Sequence, residues 1–350
     1  MILNSILLFM SVFLGLNDLL PILRYQSPAK AESASERAIN DLQYRVAFDL
    51  GSGKLKMQAA WVDPGQNRVV KIALTDEALI PVSEAIQTDP NGNIPEQVVR
   101  QLNDSLSMMQ KKAASEGNVS AYVGGATEAY RAANNGAEVL AQLSDRFHIS
   151  MFLLSQNEEA VLGYGSLVAE GLMPEEKNVL VWEIGGASTQ LSHKTDGVFE
   201  AFNLQNGKVP IKNYIIQEIQ KKPSQTPNPI EAEEAIQAID WVKGQFQDAP
   251  DWARRSQTVL GIGAMFPGVQ KGLGKSTFTK MELEQLIEKR LGELDDDLSP
   301  NDPASIYMVS DLLFLYGVMD ELEIDHVVCP NMQGPGSTSG LLIDESRWKK

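Results

Sequence analysis

Two apolar runs in this chain, Val46-Ala47-Phe48 and Val179-Leu180-Val181-Trp182, each end in an acidic residue and a turn rich in glycine and serine. Beyond each turn, polar and apolar residues alternate, over Leu55-Lys56-Met57-Gln58-Ala59 and over Thr189-Gln190-Leu191-Ser192. Alternation with period two marks a strand with one buried face, so each unit predicts a buried strand, a tight turn and a returning hairpin strand. A third strand is predicted over 69–74. Val98, Val99, Leu102, Leu106 and Met109 recur at helical spacing and predict a helix over 95–112. Short strands over 120–124 and 149–154 then alternate with helices over 137–147 and 157–167. A hairpin begins again after Pro174-Glu175-Glu176-Lys177. Helices over 211–221, 230–246, 280–291 and 304–322 follow, with strands over 259–264 and 327–328 and loops over 223–229 and 295–303. This order, begun twice, predicts two α/β domains of one kind, over 44–170 and 178–345, around a central cleft.

Composition supports that division. The chain has 350 residues and is 43% hydrophobic, enough for two medium domains with real cores. Its net charge of −16 repels polyanions at long range and argues against nucleic-acid binding. A phosphate ligand must therefore be neutralised locally, by a metal and a few cations. Cys329 is the single cysteine, so no intrachain disulfide forms. His148, His193 and His326 are scattered and make no metal cluster with it. Residues 2–16 form an uncharged apolar run, and Ala29-Lys30-Ala31 matches a small-x-small cleavage site. Residues 1–31 are thus expected to be a signal peptide, sending the protein to the periplasm or medium; without a working leader it stays cytoplasmic. A membrane enters only through an uncleaved leader.

The turns carry the chemistry. In Asp49-Leu50-Gly51-Ser52-Gly53-Lys54 and in Glu183-Ile184-Gly185-Gly186-Ala187-Ser188-Thr189-Gln190, the backbone can approach an anion closely and aim its N–H groups at it. An acidic residue at the strand end can hold a divalent cation, directly or through water. One such turn alone is an ordinary hairpin; two with the acid at the same offset predict a grip on a phosphate chain.

Four stretches resemble the exopolyphosphatase and guanosine pentaphosphate phosphatase (Ppx/GppA) family of the actin-like ATPase superfamily. They are the first loop from Val46 to Ser52, the segment Ala126-Thr127-Glu128-Ala129-Tyr130-Arg131-Ala132-Ala133-Asn134, the segment Ser155-Gln156-Asn157-Glu158-Glu159-Ala160, and the second loop from Glu183 to Leu191. The resemblance implies two ribonuclease H-like domains, each a mixed five-stranded sheet with helices on both faces, and a ligand cleft between them. It implies release of terminal phosphate from inorganic polyphosphate or a nucleotide polyphosphate, with Mg²⁺ as cofactor. Carried over residue by residue, Glu159 activates the water, Gln190 orients it, and Asp49 and Glu183 hold Mg²⁺. Gly51, Ser52, Gly53, Lys54, Arg131, Gly185, Gly186, Ala187, Ser188 and Thr189 bind phosphate. The chain departs from the family pattern at Glu183, where the family has Asp, at Ala187 for Gly, at Gln190 for Glu, and at Gly53-Lys54. The run Gly-Gly-Ala-Ser-Thr-Gln is similar to that of apyrases, so nucleoside tri- and diphosphate hydrolysis, or a sensor without turnover, stays open. The turn 261–264 is a further candidate at the cleft, and the turn 334–340 reads as structural or cleft-lining. A homodimer is also left open.

Overall fold

Strand β1 (Gln43–Leu50) is buried from Tyr44 to its end, and its alternate side chains serve two different cores. Val46, Phe48 and Leu50 meet Leu102, Leu106 and Met109, while Ala47 meets Leu341 and Leu342 on the other face. A strand covered on both faces needs an uninterrupted apolar sequence, which is why this run stands out. The computed structural model describes residues 42–175, 178–254, 256 and 258–348. Within it, Leu42–Lys350 forms one compact unit, and the leader expected over 1–31 lies outside the described residues. Among the described residues, no helix is long and apolar enough to cross a membrane.

In the first lobe β1 pairs antiparallel with β2 (Lys54–Asp63), which pairs with β3 (Arg68–Leu79). Helices α1 (Val82–Thr88) and α2 (Glu96–Glu116) lead to β4 (Ala121–Ala126), which lies parallel to β1. Helices α3 (Glu128–Ala132) and α4 (Gly136–Phe147) precede β5 (Ser150–Leu153), giving the order β3-β2-β1-β4-β5. Helix α5 (Gln156–Ala169) starts at a capping box in which Ser155 and Glu158 satisfy each other's backbone N–H groups.

The second lobe repeats the scheme with β6 (Val179–Ile184), β7 (Thr189–Thr195) and β8 (Val198–Leu204). Helix α6 (Lys208–Tyr214) runs on into a π-helical turn (Ile215–Gln220), and α7 (Ala232–Phe246) leads to β9 (Thr258–Gly263), parallel to β6. Helix α8 (Phe266–Leu273), β10 (Thr277–Thr279), α9 (Lys280–Arg290), α10 (Asp295–Leu298), α11 (Ser305–Glu321) and β11 (His326–Val328) complete the order β10-β11-β9-β6-β7-β8. Two of the departures from expectation concern the size of this sheet and the stretch 295–303. This sheet has six strands rather than five, because three residues with one buried side chain, Phe278, are too short to show a period. The stretch 295–303 is not all loop, since it opens with the single turn α10.

The chain end decides the placement of the site. Helix α12 (Thr338–Ile343) packs on α5 and β1, so residues expected in the second domain cover the first sheet. In return α5 reaches β7 and β8 of the second sheet. The two helices therefore lie between the sheets, behind the turns that end β1 and β6.

Candidate active site

The two turns are built alike. Gly51 N–H donates to Lys54 C=O at 2.9 Å, and Gly185 N–H donates to Ser188 C=O at 2.8 Å. Among the described residues, the amides of Gly53, Gly186 and Ala187 have no protein acceptor and are free for an anion. The turns abut: a Cβ on Gly186 would lie 3.4 Å from the Cβ of Ser52. The first is pinned from behind by Ile80 and Ser83, whose N–H groups donate to the carbonyls of Gly53 and Ser52 at 3.0 and 2.9 Å.

Each hairpin sets its acidic residue opposite one polar partner. In β1 and β2 Asp49 faces Lys56; in β6 and β7 Glu183 faces Gln190. Lys56 Nζ lies 3.3 Å from Asp49 Oδ2, and that carboxylate holds the ammonium above its ordinary pKa. The same oxygen accepts from Ser337 N–H at 3.3 Å, so the C-terminal turn reaches the first loop. Gly336, at φ +61°, makes this approach; a Cβ there would sit 2.1 Å from Asp49 Oδ2. Across the cleft Gln190 donates to Ser188 Oγ at 3.0 Å, and both are buried.

Glu183 extends toward α5, where a Cβ on Gly163 would lie 1.9 Å from its Oε2. The missing side chain at 163 is what admits a glutamate at this strand end. That Oε2 is buried without a hydrogen-bond partner. Burial, then the negative charges of Glu159 and Asp49, push the Glu183 carboxyl up to about 8, against a smaller opposing effect of Lys56. One helical turn before Gly163, Glu159 is 8% exposed, and burial raises it to about 7 although Arg131 opposes the shift. Its neighbour Glu158 faces away: it caps α5 and pairs with Arg347 at 2.8 Å. Four carboxylates (Asp49, Glu128, Glu159, Glu183) thus surround two cations, Lys56 and Arg131.

Several of the expected residues have partners within the protein. Lys54 is exposed and pairs with Glu77 at 2.7 Å, because it lies beyond the last β1–β2 pair, Leu50 with Leu55, and faces only β3. Lys56, two residues on, is the lysine that lies beside the acidic strand end; counting the hairpin register back from the turn locates it opposite Asp49. Arg131 is held by carboxylates, Glu159 on one side and Glu128 on the other, rather than pointing free into the cleft. The Thr189 hydroxyl donates to the Asn206 carbonyl and is used in holding its own loop. The turn 261–264 is structural: Ala264 N–H donates to Ile184 C=O at 2.6 Å, and Gly263, at φ +101°, lies against the same carbonyl. Asp49, Glu159, Glu183, Gln190 and both glycine turns are brought together. Lys56, Gly163, Gly336 and Glu128 complete the site and were not expected from sequence. Among the described residues, no three His, Cys, Asp or Glu side chains converge as a ready metal cage.

Two mixed sheets, each opening on a hairpin whose turn abuts its counterpart in the other lobe, define the two-domain actin-like ATPase class of fold. Within that class the chain belongs to the Ppx/GppA phosphatase family, whose model matches residues 76–344. Solved structures agree on the fold. The Aquifex aeolicus Ppx/GppA enzyme superposes with a TM-score of 0.70 at 16% identity, covering 86% of this chain and 99% of that one. An exopolyphosphatase from Cytophaga hutchinsonii gives 0.68 at 12% identity, covering 88% and 99%. A bifunctional 3-dehydroquinate synthase/phosphatase from Fusobacterium nucleatum is 21% identical over 265 residues, 73% of this chain. The chain spans 38% of that relative's length.

Proposed function

We propose that this protein hydrolyses phosphoanhydride bonds, releasing terminal phosphate from inorganic polyphosphate or a nucleotide polyphosphate. The observation that carries the reading is Glu159, a buried carboxyl raised to about 7, set on α5 close to Asp49 and Glu183, the acids that open the two glycine turns. A group ionising near neutrality is suited to take a proton from water and pass it on. In the reaction, water attacks the terminal phosphorus and the bond to the bridging oxygen breaks. Glu159 accepts the water proton, and orthophosphate leaves with the shortened chain. The free amides of the turns and Lys56 stabilise charge on the phosphoryl oxygens. Gln190 accepts from or donates to the attacking water but has no basicity to deprotonate it.

The donor set fits a hydrated divalent cation such as Mg²⁺. The buried, unpartnered oxygen of Glu183 and the excess of carboxylates over cations both call for positive charge. Asp49 and Glu183 would hold the ion largely through its waters, and when bound it supplies neutralisation of the phosphate chain. The likeness of the run Gly185-Gly186-Ala187-Ser188-Thr189-Gln190 to that of apyrases favours a second reading, nucleoside tri- or diphosphate hydrolysis, which uses the same groups on a shorter substrate.

The test is phosphate release from polyphosphate, guanosine pentaphosphate and ordinary nucleotides, with and without Mg²⁺, for wild type and Glu159→Gln. Turnover that needs Mg²⁺ and falls at least a hundredfold in the variant supports the proposal. Equal inactivity of both proteins on every substrate overturns it.

A further inference from the structure

Glu128 takes no part in the reaction just described, yet it holds the cation closest to the general base. Helix α3 begins at the first loop, where Thr127 N–H and Oγ–H both donate to Leu50 C=O, at 3.2 and 3.3 Å. Arg131, one turn later, is engaged at all three of its nitrogens. Its Nη1 donates to Glu159 and to the Leu154 carbonyl, while its Nε, at 3.2 Å, and its Nη2 donate to Glu128 Oε2. The Nε–Nη2 edge of a guanidinium is one that receives a phosphate through two parallel hydrogen bonds. A single oxygen of Glu128 blocks it. The other oxygen, Oε1, accepts from Gln205 Nε2 at 3.3 Å, on the loop after β8 in the opposite lobe. Glu128 therefore has a second partner to turn to when an anion takes its place on Arg131.

We propose that Glu128 is a specificity-determining residue: it competes with phosphate for the Nε–Nη2 edge of Arg131 and keeps lone orthophosphate weakly bound. The inference rests on the hydrolase reading and adds selection between substrate and product to it. A polyphosphate chain displaces Glu128 because several phosphates are gripped at once by both glycine turns and Lys56. Released orthophosphate has only the local contacts, and against a guanidinium already engaged by two carboxyl groups it gains little. As a simple i,i+3 helix pair, by contrast, Glu128 would leave phosphate affinity unmoved.

The experiment is a phosphorus-31 NMR titration of the full chain with inorganic phosphate, paired with inhibition of polyphosphate turnover by the same ion. Wild type, Glu128→Gln, Glu128→Ala and the double variant Glu128→Gln/Arg131→Ala are compared. Phosphate is expected to bind about tenfold tighter to both single variants, about 1.4 kcal/mol, and to inhibit them at correspondingly lower concentration. The gain is expected to vanish in the double variant. Unchanged or weaker phosphate binding in both folded single variants overturns the proposal, as does a gain that survives loss of Arg131. A wild type that hydrolyses none of the substrates refutes the hydrolase reading instead, while the NMR titration still decides whether Glu128 guards Arg131.

Discussion

Glu159→Gln is expected to abolish turnover and yet to stabilise the fold above neutral pH. The carboxyl rises from 4.5 to about 7, chiefly because burial disfavours its charged form and Arg131 only partly compensates. At about 1.4 kcal/mol per tenfold change in proton affinity, that rise amounts to about 3 kcal/mol of preference for the neutral acid. The sign follows from the direction. Below about 4.5 the group is neutral in both folded and unfolded chains and makes no demand. As pH rises from there the unfolded chain ionises first, so stability falls until the folded group ionises near 7, after which the penalty is constant. Glutamine keeps the shape of the neutral acid and its acceptor for Arg131, and it never ionises. Urea unfolding in EDTA at pH 5 and pH 8 measures this. The variant should exceed wild type by no more than about 1 kcal/mol at pH 5 and by about 2–3 kcal/mol at pH 8. A variant destabilised equally at both values would refute the reasoning, because Glu159 would then be held as a charged partner of Arg131.

Wild-type turnover should rise with pH through about 7 as Glu159 loses its proton, and a rate profile without an inflection between 6 and 8 would count against it as the base. Lys56→Met should lower kcat/KM by about a hundredfold through loss of a close phosphate and carboxylate partner, whereas Lys54→Met, exposed beside Glu77, should stay within about twofold; steady-state kinetics on both decides. Gly163→Ala should drive out the Glu183 carboxyl, whose Oε2 lies 1.9 Å from the added Cβ, and inactivate the enzyme. Adding Glu183→Asp, one methylene shorter, should restore part of the activity, and failure of that rescue would sink the steric explanation. Gly336→Ala places a methyl 2.1 Å from Asp49 Oδ2 at a φ of +61°; a thermal melt should show loss of stability together with loss of activity.

The sequence by itself determined the local features. Buried runs that alternate or fill on both faces named nearly every strand. The glycine turns at the strand ends, and the acids Asp49 and Glu183 placed before them, were legible because hairpin chemistry acts over a few residues. Glu159 was singled out only by the family resemblance of its segment; that Glu158 beside it is consumed by the helix cap is a finding of the structure. The tertiary structure alone decided which groups meet from distant parts of the chain. Gly163 and Glu183 lie twenty residues apart in sequence, and nothing in either stretch states that one must be bare so that the other can be long. Gly336 and Ser337 reach Asp49 only because α12 returns to the first sheet, against the order of the chain. Arg131 reads as a free phosphate ligand until Glu128 and Glu159 are seen to share it. Backbone patterns are fixed by neighbours along the chain, whereas the charge balance of a cleft is a sum over whatever packing brings within a few ångströms, and that sum is written nowhere in the linear order.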